Sequence, residues 1–220
     1  MSQTDRAAPP RRIKICGIAW ADQGRAIAAA GATALGFICV RQSRRYVPPS
    51  QIGAIATQLP PGVDRVGVFA DASIAAIAQT VALGRLSGVQ LHGSETPAFC
   101  QALRRQLPAT ELIKTLTVSA PADLAQAAAY VPVVDALLLD AYHPQLAGGT
   151  GRTLDWQALS AFEPGCPWLL AGGLTPHNVG QALSVLQPDG IDLSSGVERA
   201  PGDKDLGLVS QLFASLRAGR

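Results

Sequence analysis

A thiol and a carboxyl stand at the ends of two short apolar runs. Cys16 closes Arg12-Ile13-Lys14-Ile15-Cys16-Gly17-Ile18, and Asp140 closes Ala136-Leu137-Leu138-Leu139-Asp140. In a barrel of parallel strands such positions face the mouth, where reacting groups are placed. A thiol and a carboxyl facing each other there serve as a base and an acid for proton transfer. A free thiol has a pKa of about 8.5, so near neutrality little of it is thiolate without help. Strand side chains alternate, so an inward Cys16 implies an inward Lys14, whose ammonium favours the thiolate. Asp140 follows three leucines, and apolar walls raise a carboxyl's pKa, which suits a general acid. Taken singly, a buried cysteine is more often inert. Cys39, Cys100 and Cys166 are read that way.

Other groups fall at comparable places. Ala171-Gly172-Gly173-Leu174 and Leu193-Ser194-Ser195-Gly196 follow the seventh and eighth predicted strands. Glycine lets backbone N–H groups approach an anion and serine adds hydroxyl donors, and barrels commonly bind phosphate on these two loops. Gly148-Gly149-Thr150-Gly151, after the sixth strand, adds Gly149 as a third candidate. Asp192 would repel a phosphate it faced, so it is expected to orient loop amides or a sugar hydroxyl. Arg45, in Ser43-Arg44-Arg45-Tyr46-Val47, can hold a carboxylate through paired hydrogen bonds. Gln90 and His92 flank Leu91 at the end of the fourth strand and share one face, so both can meet a ligand.

The elements that must position these groups alternate without a break. Strands are expected at 13–16, 34–40, 65–69, 88–91, 111–115, 136–139, 168–171 and 191–193. Helices are expected at 22–30, 49–59, 73–83, 97–107 and 122–131, a short one from 155, then 178–186 and 204–216. Eight βα units imply a parallel sheet, and eight close into a single (β/α)8 TIM barrel, a fold of about 200–250 residues at its compact end. An open doubly wound sheet is the competitor and rarely runs to eight regular units. Asp22, Ser50, Ser73, Asp155 and Asn178 precede helical runs as N-cap candidates, and Gly31, Gly84 and Gly190 fit helix ends or turns. Strands six, seven, eight, one and two are consecutive around such a ring. Asp140, the phosphate loops, Cys16 and Arg45 then occupy one arc of the mouth, which suits proton transfer on a sugar phosphate with no cofactor and no metal.

Composition narrows the field. The 220 residues are 48% hydrophobic, enough for one sizeable core over 12–220, with 1–11 expected as a disordered extension. A net charge of +2 with only 5% aromatic residues argues against nucleic acid as a partner. No run approaches membrane-span or signal-peptide length, and four scattered cysteines point to reduced thiols in a cytoplasmic protein. Monomer and homodimer both stay open.

The residues Lys14-Ile15-Cys16-Gly17, Val89-Gln90-Leu91-His92-Gly93, Leu139-Asp140 and Ile191-Asp192-Leu193-Ser194-Ser195-Gly196-Val197-Glu198 carry a resemblance to the phosphoribosylanthranilate isomerases of tryptophan biosynthesis, over residues 12 to 216. The Cys-Gly and Ser-Ser-Gly-Val-Glu pieces are its specific part. The resemblance implies an Amadori rearrangement of N-(5-phosphoribosyl)anthranilate to 1-(2-carboxyphenylamino)-1-deoxyribulose 5-phosphate. It implies Asp140 as general acid, Cys16 as general base and Arg45 as holder of the anthranilate carboxylate. Ala19 stands where the family usually has Thr, and Ser43-Arg44-Arg45 replaces Ser-Pro-Arg, with Tyr46-Val47 keeping Arg45 in register. The histidine-pathway isomerase is a neighbour with similar phosphate loops, but it resembles this chain less because it has aspartate where Cys16 stands. A non-catalytic sugar-phosphate binder would leave Cys16 and Asp140 without a role.

Overall fold

A computed structural model describes residues 12–118, 120–140 and 156–218. The expected N-terminal extension and Asp155 lie outside the described residues. Eight strands, β1 (Arg12–Cys16), β2 (Ala34–Ile38), β3 (Asp64–Phe69), β4 (Gly88–Leu91), β5 (Glu111–Thr117), β6 (Ala136–Asp140), β7 (Trp168–Ala171) and β8 (Gly190–Leu193), form a closed barrel in chain order. Each neighbouring pair is parallel, and β8 closes on β1 through Lys14 opposite Asp192. The fold is therefore the (β/α)8 barrel and not the open sheet.

Two-residue alternation sorts the strand side chains into two compartments. Val66, Ile113, Ala136, Leu138, Leu169 and Ala171 pack together inside the barrel. Their neighbours Phe37, Leu91, Leu112, Leu137, Leu170 and Ile191 face outward and pack with helix residues such as Ile27, Ile52, Ile77 and Leu212. Each large aliphatic side chain so buried contributes about 1.5–3 kcal/mol. The floor of the barrel is polar. The Arg12 guanidinium pairs with Glu111 across the barrel and with Asp64 at 3.3 Å.

The helices are α1 (Ala21–Ala30), α2 (Pro49–Ala56), α3 (Ile74–Gly84), α4 (Pro97–Gln106), α5 (Ala127–Tyr130), α6 (Val179–Val185) and α7 (Leu206–Ala218). Ser73 caps α3 as expected, its side chain accepting from the Ala76 N–H. Asp22 and Ser50 do not act as caps: α1 begins after Trp20, and α2 begins after Pro48 with Pro49 in the first turn, where its missing N–H costs nothing. Asn178 precedes α6 but puts its carbonyl oxygen on the Thr175 N–H instead of a helix amide. Gly31 follows α1 with φ 122°, and Gly84 is the last residue of α3, with Arg85 after it at φ 51°. The single helix expected over 122–131 is broken: a 3₁₀ turn (Pro121–Gln126) leads into α5, and a second 3₁₀ turn (Val131–Val133) contains Pro132. Two further strands, β9 (Glu198–Ala200) and β10 (Asp203–Lys204), form an antiparallel ribbon after β8 where no strand was expected.

A buried ion pair outside the barrel fixes two loops of the mouth. Lys114 and Glu95 have side chains 3% and 2% exposed and lie 3.0 Å apart. Lys114 also donates to the Gly93 carbonyl, and its ammonium lies 5.8 Å from the centre of the Tyr130 ring. Glu95 accepts from the backbone N–H groups of Asp71 and Gly93, which joins the loops after β3 and β4. Removing one partner of such a pair strands a buried charge. Glu95→Ala is expected to lower unfolding free energy by about 3–5 kcal/mol, measured by urea denaturation. A change under about 1 kcal/mol, the size of a surface pair, would contradict this account.

Candidate active site

Strand ends and following loops bring nearly all the expected groups to one cavity of about 240 Å³, several times the ~30 Å³ share of a water molecule. Cys16, Arg45, Gln90, His92, Asp140 and Asp192 line it together with Gly172, Gly173, Ser194, Ser195 and Gly196. Gly149 lies outside the described residues. Lys14 does not line the cavity; its side chain is wholly buried beneath it.

Lys14 donates to Asp192 at 2.9 Å, so the carboxylate that the sequence offered to loop amides or a sugar hydroxyl is first a partner for the lysine. Burial opposes the Lys14 charge, and Asp192 outweighs it, holding the ammonium above its ordinary range. The other Asp192 oxygen has no hydrogen-bond partner among the described residues. Gly36 of β2 makes this corner possible: a Cβ there would lie 2.6 Å from the Cys16 sulfur and 3.0 Å from the Lys14 nitrogen.

Burial pushes the Cys16 thiol above its ordinary pKa, with Lys14 and Lys204 pulling it down and Asp192 pushing it up. The effect expected of Lys14 has the right sign but does not win, because desolvation of the buried thiol outweighs it. Cys39 is likewise raised, its thiol pushed up to about 12 by burial, in keeping with an inert role. Asp140 ends β6 with its side chain 23% exposed, and His92 lies 3.4 Å from it. Histidine therefore stands beside the carboxyl where the sequence suggested apolar walls alone. Gln90 donates to Thr115 at 3.0 Å, leaving its carbonyl oxygen buried and unpartnered.

The loops after β7 and β8 interlock. Gly172 and Gly173 have φ of 91° and 66°, the left-handed region that favours glycine. A Cβ on Gly196 would sit 1.9 Å from the Leu174 carbonyl oxygen, so only glycine lets the loops after β7 and β8 approach this closely. Ser194 turns its hydroxyl to the Cys16 carbonyl at 3.1 Å, tying the β8 loop to β1.

Arg45 already has a carboxylate partner within the chain. Its guanidinium is bound side-on by Glu198, with the Nε–H 3.0 Å from both carboxylate oxygens and Nη2 2.6 Å from one. Arg44, its rival in the sequence, does not line the cavity. Glu198, Lys204 and Thr115 went unremarked as site residues in the sequence. Thr115 was findable by alternation from Ile113, and Glu198 by its place in Ser-Ser-Gly-Val-Glu. Lys204 carried no local signal.

The chain is a (β/α)8-barrel isomerase, with a thiol and a carboxyl lining one cavity beside two glycine-containing loops. More narrowly, it belongs to the family described as N-(5'phosphoribosyl)anthranilate (PRA) isomerase, which it matches over residues 13–215. It is 61% identical to the N-(5'-phosphoribosyl)anthranilate isomerase of Trichormus variabilis over 93% of this chain and 98% of that one. The solved phosphoribosyl anthranilate isomerase of Thermotoga maritima superposes with a TM-score of 0.86 at 34% identity, covering 94% of this chain and 98% of that chain. Another solved isomerase, bound to reduced 1-(o-carboxyphenylamino)-1-deoxyribulose 5-phosphate, gives 0.83 at 32%, with the same coverages.

The raised thiol pKa makes a pH prediction. In ligand-free protein, alkylation of Cys16 by iodoacetamide, followed by peptide mass, should accelerate with a midpoint above the ~8.5 of a free thiol. Lys14→Met removes a cation that favours the thiolate and should move that midpoint higher. A midpoint at or below the ordinary value would contradict the burial argument.

Proposed function

We propose that this chain is the isomerase of tryptophan biosynthesis that converts N-(5-phosphoribosyl)anthranilate to 1-(2-carboxyphenylamino)-1-deoxyribulose 5-phosphate. The observation that carries the assignment is one cavity lined by Cys16, Asp140, Arg45 and the β7 and β8 loops, in a chain of that family.

Asp140 is the general acid. It gives a proton to the furanose ring oxygen as the C1–O bond breaks, and the nitrogen lone pair completes a protonated Schiff base at C1. Cys16, as thiolate, then takes the proton from C2, and the released electron pair neutralises the Schiff base as an enolamine. Proton transfer to C1 and loss of the C2 hydroxyl proton yield the ketone. The cation formed in the first step favours the thiolate needed in the second, which offsets the desolvation that raises the resting thiol. His92 stands 3.4 Å from the Asp140 carboxyl.

The phosphate lies on backbone amides of Gly172, Gly173, Ser195 and Gly196, with Gly149 as a further contact; Ser194 contributes chiefly by its bond to the Cys16 carbonyl. The free edge of Arg45 takes the anthranilate carboxylate. Asp192 and Gln90 each offer an unpartnered oxygen to the sugar hydroxyls. No helix of the described residues is long and apolar enough to cross a membrane, and the four cysteines are unpaired, which supports a cytoplasmic enzyme.

Purified protein should consume N-(5-phosphoribosyl)anthranilate, seen as loss of its fluorescence; folded protein without activity would refute the assignment. Cys16→Ser and Asp140→Asn should each reduce kcat by about 10²–10⁴-fold while ligand binding persists, the contribution typical of a positioned acid or base. Unchanged turnover in either variant removes that residue from its role.

A further inference from the structure

Glu198 sits with its side chain 4% exposed between two cations, Arg45 on the mouth and Lys204, itself wholly buried. Its oxygens accept from Arg45 Nε and Nη2, from Lys204 Nζ at 2.8 Å and from the Gly202 N–H at 3.0 Å. Burial works against the Glu198 charge, but the bonds from Arg45 and Lys204 outweigh it and hold the carboxyl below its ordinary range. The ribbon that carries both residues is itself fastened. Gln23 of α1 donates to Asp203 at 2.7 Å and accepts from the Lys204 N–H at 3.1 Å.

A guanidinium has five N–H groups in a rigid plane. Glu198 engages the side-on edge, Nε and Nη2. The end-on edge, with Nη1 and the second Nη2 hydrogen, keeps donors in the parallel geometry that a carboxylate accepts. Arg45 lines the cavity, and no described residue accepts a hydrogen bond from its Nη1. An untethered arginine would lose its rotamer freedom on meeting a ligand, and a tethered one has already lost it.

We infer that Glu198, anchored by Lys204 on the β9–β10 ribbon, is a positioning residue that holds Arg45 so that its end-on edge meets the aryl carboxylate of the substrate. This role rests on Arg45 as the carboxylate holder. Because the carboxylate lies away from the reacting carbons, its loss weakens ground state and transition state alike, which raises KM and spares kcat.

The test is steady-state kinetics on the full chain with Arg45→Ala, Glu198→Gln and the double variant. Glu198→Gln should raise KM about tenfold, the effect of one lost charge-assisted hydrogen bond, with kcat held within about twofold. In the Arg45→Ala background the same change should have no further effect. Inhibition by inorganic phosphate, which takes the other end of the cavity, should be unaltered in Glu198→Gln.

If Arg45→Ala itself leaves KM unchanged, the carboxylate assignment fails, and the Glu198 role fails with it. If Arg45→Ala raises KM but Glu198→Gln leaves it unchanged or lowers it, Arg45 stands and the positioning role is overturned. Additive effects, or a parallel loss of phosphate inhibition, would mean general disruption and overturn it too. Should Glu198→Gln fail to fold, Glu198→Asp keeps the charge with a shorter reach and replaces it in the same cycle. A smaller KM rise, absent in the Arg45→Ala background, is then expected, and an unchanged or additive KM overturns the role.

Discussion

Lys14 carries a charge into a barrel interior, with none of its side chain exposed to water. Such a charge persists only with a partner in good geometry. The closure of β8 on β1 supplies one by setting Asp192 opposite Lys14. The rest of the site depends on that pairing. It fixes the height of Cys16 above it, requires glycine at 36, and leaves one Asp192 oxygen unpartnered under the cavity. It also explains a thiol that two lysines influence without making acidic. Desolvation of the buried thiol outweighs both lysines, and the Asp192 charge adds to it.

The same constraint recurs wherever this chain buries charge. Arg12 meets Glu111 and Asp64 on the barrel floor. Lys114 meets Glu95 outside the barrel, and Glu198 meets Arg45 and Lys204 above it. Each cluster joins segments distant in sequence, and two of them join loops of the mouth. A loop pinned by a buried ion pair has few alternative positions, because moving it strands a charge. The mouth is thus preorganised by electrostatics where the short loops alone would leave it loose.

The eight-unit frame was legible because helix and strand write different periods into the chain, and the strands repeat at the spacing that short loops demand. It failed where a local signal had two readings. Asp22 and Ser50 have cap chemistry but sit inside the first turn, since Trp20 and Pro48 already carry the extended backbone that precedes a helix. The alanine run at 127–129 suggested one helix, yet prolines at 121 and 132 bound it and leave a single α turn between 3₁₀ segments. The β9–β10 ribbon is too short to show a period at all.

The sequence by itself determined which residues end the strands, and therefore that Cys16, Asp140, the glycine loops and Arg45 share one mouth. Strand alternation and ring order are local rules that need no packing detail. It could not determine what those groups touch. That Lys14 is held by Asp192, that Asp140 has His92 beside it, and that Arg45 is clamped by Glu198 with Lys204 behind it are decisions of the closed barrel. Arg45 and Glu198 are 153 residues apart. Only closure of the ring and the folding of the ribbon over it bring such groups within hydrogen-bond distance, and protonation and orientation are set by that contact rather than by sequence neighbours.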